Sequence, residues 1–218
     1  MGTRLLKVAT YNANSIRSRM PIILDWLGRE APDVLCIQET KVQDAEFPAE
    51  PIRQAGYHVA FRGQKAHAGV AIVSKELPQD VQFGLDDGGQ PDEPRLLRAT
   101  VGGIPVVNTY VPQGQEVESP MFAYKLEWLG RLRRFFEQHY SPQEPLLWMG
   151  DFNVAPEAID VHDPKRLQDH VDFHPQARAA LERVREWGFI DVFRQHHPDK
   201  AGQYTFWDYR VRGALERG

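Results

Sequence analysis

Apolar residues along this chain fall into short runs, and each run is closed by a polar residue or a turn. Residues 5–11 carry the first strand signal and end in Asn12-Ala13-Asn14-Ser15. Over residues 20–29, Ile22, Ile23, Trp26 and Leu27 recur at helical spacing, which predicts an amphipathic helix stopped by Pro32-Asp33. Residues 33–38, Asp-Val-Leu-Cys-Ile-Gln, form the continuous apolar run of a strand buried on both faces, and it delivers Glu39-Thr40-Lys41. Residues 57–62, 69–74, 95–101 and 104–110 are further strand candidates, the last two joined by a Gly-Gly turn. The clearest helix covers 121–139. Leu126, Leu129, Leu132, Phe135 and Phe136 share one face there, with Arg131, Arg133, Arg134 and Glu137 off it. A strand over 145–149 leads into Gly150-Asp151-Phe152-Asn153. A helix over 175–187 stops at Gly188, and residues 189–193 read as a short last strand. There is no repeat, low-complexity tract or linker, so one domain over 1–218 is expected. The mixture of elements suits a sandwich of sheets or a doubly wound sheet.

Composition removes several function classes. Apolar residues at 42% and aromatics at 11% are too many for a disordered chain. A single cysteine, Cys36, excludes a disulfide scaffold and a cysteine zinc site. It sits between Leu35 and Ile37 and reads as a small buried hydrophobe. No apolar stretch reaches membrane-span length and the N-terminus lacks a signal-peptide core, so a reducing, cytoplasmic setting is expected. Lys and Arg number 26 against 30 Asp and Glu, for a net charge of −4. That balance argues against holding nucleic acid by bulk charge, though not against a local basic surface.

The chemistry is suggested by what stands at the ends of the runs. Asn12, Glu39, Tyr110, Asp151 and Asn153 each follow an apolar strand. Taken singly, Asn and Asp close strands because they suit turns, and a terminal Glu is often only solvated. Taken together, strands that finish on one edge would gather two acids, two amides and a phenol. That is a set suited to a hard cation such as Mg²⁺, which takes one or two carboxylates and keeps waters that a phosphate can replace.

Six motifs in order carry a resemblance: Tyr-Asn-Ala-Asn (11–14), Leu-Cys-Ile-Gln-Glu-Thr-Lys (35–41), Gly-Gln-Lys-Ala-His-Ala-Gly-Val-Ala (63–71), Asn-Thr-Tyr-Val-Pro-Gln-Gly (108–114), Met-Gly-Asp-Phe-Asn-Val-Ala-Pro (149–156) and Phe-Trp-Asp-Tyr-Arg (206–210). The chain resembles the exonuclease III family of abasic-site DNA repair nucleases, within the endonuclease/exonuclease/phosphatase superfamily. The resemblance implies an α/β fold, a four-layer αββα sandwich of two packed sheets flanked by helices. It implies a Mg²⁺-dependent hydrolase, with Mn²⁺ able to substitute, that cuts 5′ to abasic sites and trims 3′ ends. The implied partner is double-stranded DNA, with no membrane, and the protein is expected to be a monomer. Glu39 matches the family's metal-binding glutamate, with Asn12 beside it. Asp151 matches the aspartate that activates water, Asn153 the amide on the scissile phosphate, and Tyr110 the phenol directed at it. Asp151 and Asn153 count among the metal-side residues too. Lys125, Arg95, Phe206 and Trp207 match positions near the DNA. Lys41 and Arg17 are weaker phosphate contacts.

The sequence also departs from the family pattern, which continues past the Trp-Asp-Tyr-Arg segment to a Ser-Asp-His motif absent here. The resemblance thus implies a second sheet and a catalytic set incomplete at the C-terminus. The expectation is a chain of low stability and at most weak activity. Two alternatives stand beside the nuclease: a phosphoesterase of another superfamily branch, and a non-catalytic DNA-binding fragment.

Overall fold

The run after Pro32-Asp33 carries no charge over five residues, and it folds as a strand buried at every position, Val34–Gln38 (β2). The structure, a computed structural model, describes residues 5–88 and 93–206. The chain divides into two compact units, Met1–Val111 with Gln138–Phe152, and Pro112–Glu137 with Asn153–Gly218.

The first unit holds two four-stranded sheets. One joins Val8–Asn12 (β1), β2, His58–Gln64 (β3) and His67–Ser74 (β4), in the order β1-β2-β4-β3. The other joins Gln79–Phe83 (β5), Leu96–Val101 (β6), Ile104–Tyr110 (β7) and Leu147–Asp151 (β8), in the order β5-β6-β7-β8. Each sheet is mixed, with one parallel pair at one edge: β1 with β2, and β7 with β8. Parallel neighbours end on the same side. Asn12 therefore pairs with Gln38, next to Glu39, and Tyr110 pairs with Asp151.

Strand side chains alternate between faces, and β2 uses both. Val34 and Cys36 pack with Val70 and Ile72 against Leu97, Ala99, Val101 and Val106 of the second sheet. Leu35 and Ile37 pack on the opposite face against Ile16, Ile23 and Leu27 of helix α1 (Ile16–Glu30). Each fully buried side chain of this size contributes about 1.5–3 kcal/mol. One polar group crosses the inter-sheet core. Asn108 is fully buried; its Nδ2 donates to the carbonyls of Ile37 (3.0 Å) and Ala71 (2.9 Å), and its Oδ1 accepts from Gln38 Nε2 (2.7 Å).

The second unit is helical. It contains all but the last two residues of α3 (Pro120–His139), after the short α2 (Ala49–Gln54) of the first unit, then α4 (Pro164–Leu167), α5 (Pro175–Arg185) and α6 (Val192–His196). Phe122, Val171 and Ala177 make one core cluster, with Leu126 and Val154 against it. Phe136, Trp187 and Phe189 make an aromatic one, with centroids 4.7–5.6 Å apart.

Several boundaries differ from the expectation. Helix α1 begins at Ile16 rather than at 20. Its first turn is set by the loop after β2, because the N–H groups of Ser15 and Ile16 donate to Glu39 O (2.8 Å) and Thr40 O (3.1 Å). Strand β5 escapes sequence patterning because four of its five positions are exposed. Residues 189–193 are not a strand. Phe189 joins the aromatic cluster, and the Asp191 side chain caps α6 by accepting from the Arg194 N–H (2.9 Å).

Replacing Asn108 by Ala takes the side-chain donor from two buried carbonyls and leaves the Gln38 amide nitrogen with Thr10 alone as a partner. It is expected to lower unfolding free energy by about 2–4 kcal/mol, read as a lower denaturant midpoint. An unchanged midpoint would show that the bridge does not hold the sheets.

Candidate active site

Four of the five strand-end residues meet in the first unit. Asn12 ends β1, Glu39 follows β2, Tyr110 ends β7 and Asp151 ends β8. The Asn12 amide nitrogen donates to Glu39 Oε1 and to Asp151 Oδ2, each at 2.7 Å. One NH₂ group thereby uses both donors on two carboxylates from different sheets. Its Oδ1 accepts the Asn14 N–H at 3.0 Å, which fixes the amide's orientation. Glu39 Oε2 pairs with Lys41 Nζ at 2.7 Å, and Lys41 also donates to Asn14 Oδ1 at 2.5 Å. The Tyr110 hydroxyl donates to Glu39.

Backbone geometry explains the residue types. Glu39 and Lys41 have φ of 52° and 56°, which turns the chain sharply as it leaves β2. At the end of β8, Gly150 has φ 146°, and a Cβ there would lie 1.9 Å from the Thr109 carbonyl oxygen. Only glycine lets β8 approach β7 this closely, so the Gly before Asp151 serves to bring Asp151 opposite Tyr110.

Electrostatics separates the two groups that touch. Burial pushes the Glu39 carboxyl up, but hydrogen bonds from Lys41, Asn12 and Tyr110 and the Lys41 charge outweigh it and hold the carboxyl below its ordinary value. Burial and the negative charge of Glu39 push Tyr110 well above the usual tyrosine range, and the Arg95 charge offsets only part of this. Glu39 is thus kept as an anion and Tyr110 as a neutral donor.

The donor set fits a hard cation. It offers two carboxylates, those of Glu39 and Asp151, joined through the Asn12 amide. The ammonium of Lys41 on Glu39 confirms that this carboxylate faces positive charge.

The remaining sequence candidates have partners of their own. Asn153 belongs to the second unit, two residues beyond Asp151, with φ 47° and its carbonyl accepting from Lys125 Nζ at 2.6 Å. Lys125 is not an exposed DNA contact. It is fully buried on α3, and its ammonium also reaches Gln113 O (3.1 Å), Val171 O (3.1 Å) and Asp172 Oδ1 (3.2 Å). Those acceptors outweigh the drive to keep a lysine in water. Arg95 is likewise buried, its guanidinium bonded to Glu93 and to the Tyr110 carbonyl, and does not present itself to a ligand as an exposed cation. Phe206 is an exposed aromatic, and Trp207 lies outside the described residues. Arg17 is paired with Glu46 on the surface. The residues missed as site members are Asn14 and the inward role of Lys41. The signal for Lys41 is its spacing of two from Glu39, but only the paired positive φ values bring the two head groups together.

The Endonuclease/Exonuclease/phosphatase family profile matches residues 9–214. The chain belongs to that family. Among curated relatives, exodeoxyribonuclease III of Haemophilus influenzae is 31% identical over 219 residues, covering 95% of this chain and 82% of the relative. Among solved structures, an AP endonuclease from Archaeoglobus fulgidus is 51% identical with a TM-score of 0.94, over 98% of this chain and 82% of that one. The 3′ phosphatase NExo from Neisseria, bound to a product DNA hairpin, is 35% identical with a TM-score of 0.91, over 98% and 82%. The chain is accordingly a hydrolase of the exodeoxyribonuclease III and AP endonuclease kind, and its fold class of two β-sheets flanked by helices is theirs.

Two outcomes follow from these placements. Because the folded-state value of Tyr110 is raised, its contribution to stability is present below about pH 10 and fades as pH rises through the folded value. In an ultraviolet titration, the difference between the wild type and Tyr110→Phe should therefore emerge only after the exposed tyrosines have ionised; emergence at about pH 10 would contradict the burial argument. Lys125→Met keeps the stem and removes the ammonium. It is expected to destabilise the protein by about 3 kcal/mol, measured by chemical denaturation, and an unaltered midpoint would mean the four acceptors find other partners.

Proposed function

We propose that this chain is a DNA repair nuclease. It hydrolyses the phosphodiester on the 5′ side of abasic sites in duplex DNA and removes nucleotides from 3′ ends, as a monomer with bound Mg²⁺ that Mn²⁺ can replace. The observation that carries the reading is the Asn12 amide held between Glu39 and Asp151, with the Tyr110 hydroxyl on Glu39. The nuclease class rests on the family and its relatives; the substrate rests on what those relatives are named for.

Hydrolysis forms a bond from a water oxygen to phosphorus and breaks the bond to the 3′ oxygen, leaving a 3′-hydroxyl and a 5′-phosphate. In this reading Asp151 takes the proton of the attacking water. Tyr110, kept neutral by burial and by Glu39, turns its O–H from Glu39 to a phosphate oxygen as charge builds there. Glu39, with Asn12 beside it, is the residue to hold the cation. When bound, the cation withdraws charge from the non-bridging oxygens.

Glu39→Ala and Asp151→Asn are each expected to slow cleavage of an abasic duplex by on the order of 10²–10⁴, with the circular dichroism spectrum unchanged. EDTA should stop the wild type, and Mg²⁺ or Mn²⁺ should restore it. Full activity in either variant would refute the assigned roles. A substrate panel of abasic duplex, 3′-phosphate-ended duplex, inositol phosphates and nitrophenyl phosphate fixes the class. Preference for inositol phosphates would move the protein to another branch of the family, and salt-dependent DNA retention without turnover would leave only a binding role.

A further inference from the structure

We propose that Arg95 is a positioning residue that acts on the reaction through Tyr110, rather than a contact to the substrate. The proposal rests on the role given above to Tyr110.

Arg95 immediately precedes β6, and Tyr110 ends β7. The Tyr110 N–H donates to the Arg95 carbonyl at 2.7 Å, so the two backbones pair one step beyond the Leu96–Thr109 register. The Arg95 side chain then folds back over its neighbour. One terminal nitrogen donates to the Tyr110 carbonyl at 3.3 Å, and the guanidinium carbon lies 4.8 Å from the centroid of the Tyr110 ring. Tyr110 is therefore gripped at its N–H, at its carbonyl and on one ring face, all by the same residue. Its hydroxyl is left to point to Glu39.

Arg95 is itself fixed. Its Nε donates to Glu93 Oε2 at 2.8 Å, its other terminal nitrogen donates to the same oxygen, and Gln64 Nε2 of β3 reaches Glu93 Oε1 at 3.5 Å. A planar guanidinium with a rigid fork can satisfy a carboxylate along one edge and still cover a ring with its face; a lysine ammonium cannot. The Arg95 residue is only 8% exposed. A cation so enclosed offers little to a phosphate arriving from solvent, and much to the ring beneath it.

The test is a double-mutant cycle in abasic-duplex cleavage. Arg95→Met alone is expected to lower kcat by about tenfold with KM little changed. In the Tyr110→Phe background the same change should have no further effect, because the hydroxyl it positions is gone. Glu93→Gln, which leaves Arg95 in place but loosens it, should give a smaller loss that also vanishes in Tyr110→Phe; it serves where Arg95→Met fails to fold. Equal fold-losses in both backgrounds, or a rise in KM with a shallower salt dependence at constant kcat, would overturn the proposal and make Arg95 an independent or DNA-contacting group. A Tyr110→Phe enzyme with the wild-type rate would instead remove the role of Tyr110, and this proposal with it.

Discussion

Two carboxylates from different sheets cannot lie side by side without a shared positive or donating neighbour, and in this protein that neighbour is the side-chain amide of Asn12. Its two N–H bonds, 2.7 Å to Glu39 and 2.7 Å to Asp151, use the full donor capacity of the group. Everything else in the first unit serves to bring three strand ends to that amide. The parallel pairing of β1 with β2 and of β7 with β8 sends the ends the same way. Asn108, two residues before Tyr110, ties the second sheet to the carbonyls of Ile37 and Ala71 in the first, close beneath Glu39. Hydrophobic packing between the sheets is non-directional and would tolerate a slip. The buried amide would not, since a slip leaves its donors unmet.

The loops that carry the site are bent beyond what ordinary residues prefer. Asn14, Glu39 and Lys41 all have positive φ between 42° and 56°. For a side-chain-bearing residue that conformation is unfavourable by on the order of 1 kcal/mol. The strain is offset by backbone bonds made across the loops: Thr40 N–H to Gly69 O at 3.2 Å, Lys41 N–H to Ala68 O at 3.0 Å, Ser15 N–H to Glu39 O at 2.8 Å. In the second unit one buried ammonium, that of Lys125, binds the segments around Gln113, Asn153 and Val171. The Lys125 ammonium is thus matched mainly to backbone carbonyls of these segments, which ties them together.

Much of this was legible in the residues, and the limits are physical. Strands such as β2 and β4 announce themselves because they are apolar on both faces, and α3 because its apolar face is long. Asn12, Glu39, Tyr110 and Asp151 stand out because each closes such a run. What was not legible depends on partners distant in sequence. The start of α1 is decided by the loop after β2, β5 is an exposed edge, and Phe189 is claimed by Phe136 and Trp187. Lys125 and Arg95 are the instructive pair. A basic residue on a helix or beside an acidic loop looks solvent-facing until the carbonyls and carboxylate that receive it are known. For Lys125 the acceptors come from segments distant in sequence, whereas the carboxylate that receives Arg95 is that of Glu93, two residues away, and only the Tyr110 carbonyl is remote.

The contrast between Glu39 and Tyr110 gives this arrangement its chemical direction. The two touch, both are partly desolvated, and yet they are driven apart: the carboxyl toward the charged form, the phenol toward the neutral one. A shared hydrogen bond does this for both at once, because a donor that stabilises the anion is by the same act harder to deprotonate. A pair of titratable groups separated in this way holds an acceptor and a donor in fixed states over the neutral range. Lys41 fits the same logic, since its ammonium helps to keep the carboxylate ionised. The division of labour is therefore set by burial and hydrogen bonding before any ligand arrives, and it is what lets two mixed sheets with few charges at their ends present both signs of chemistry within one cluster.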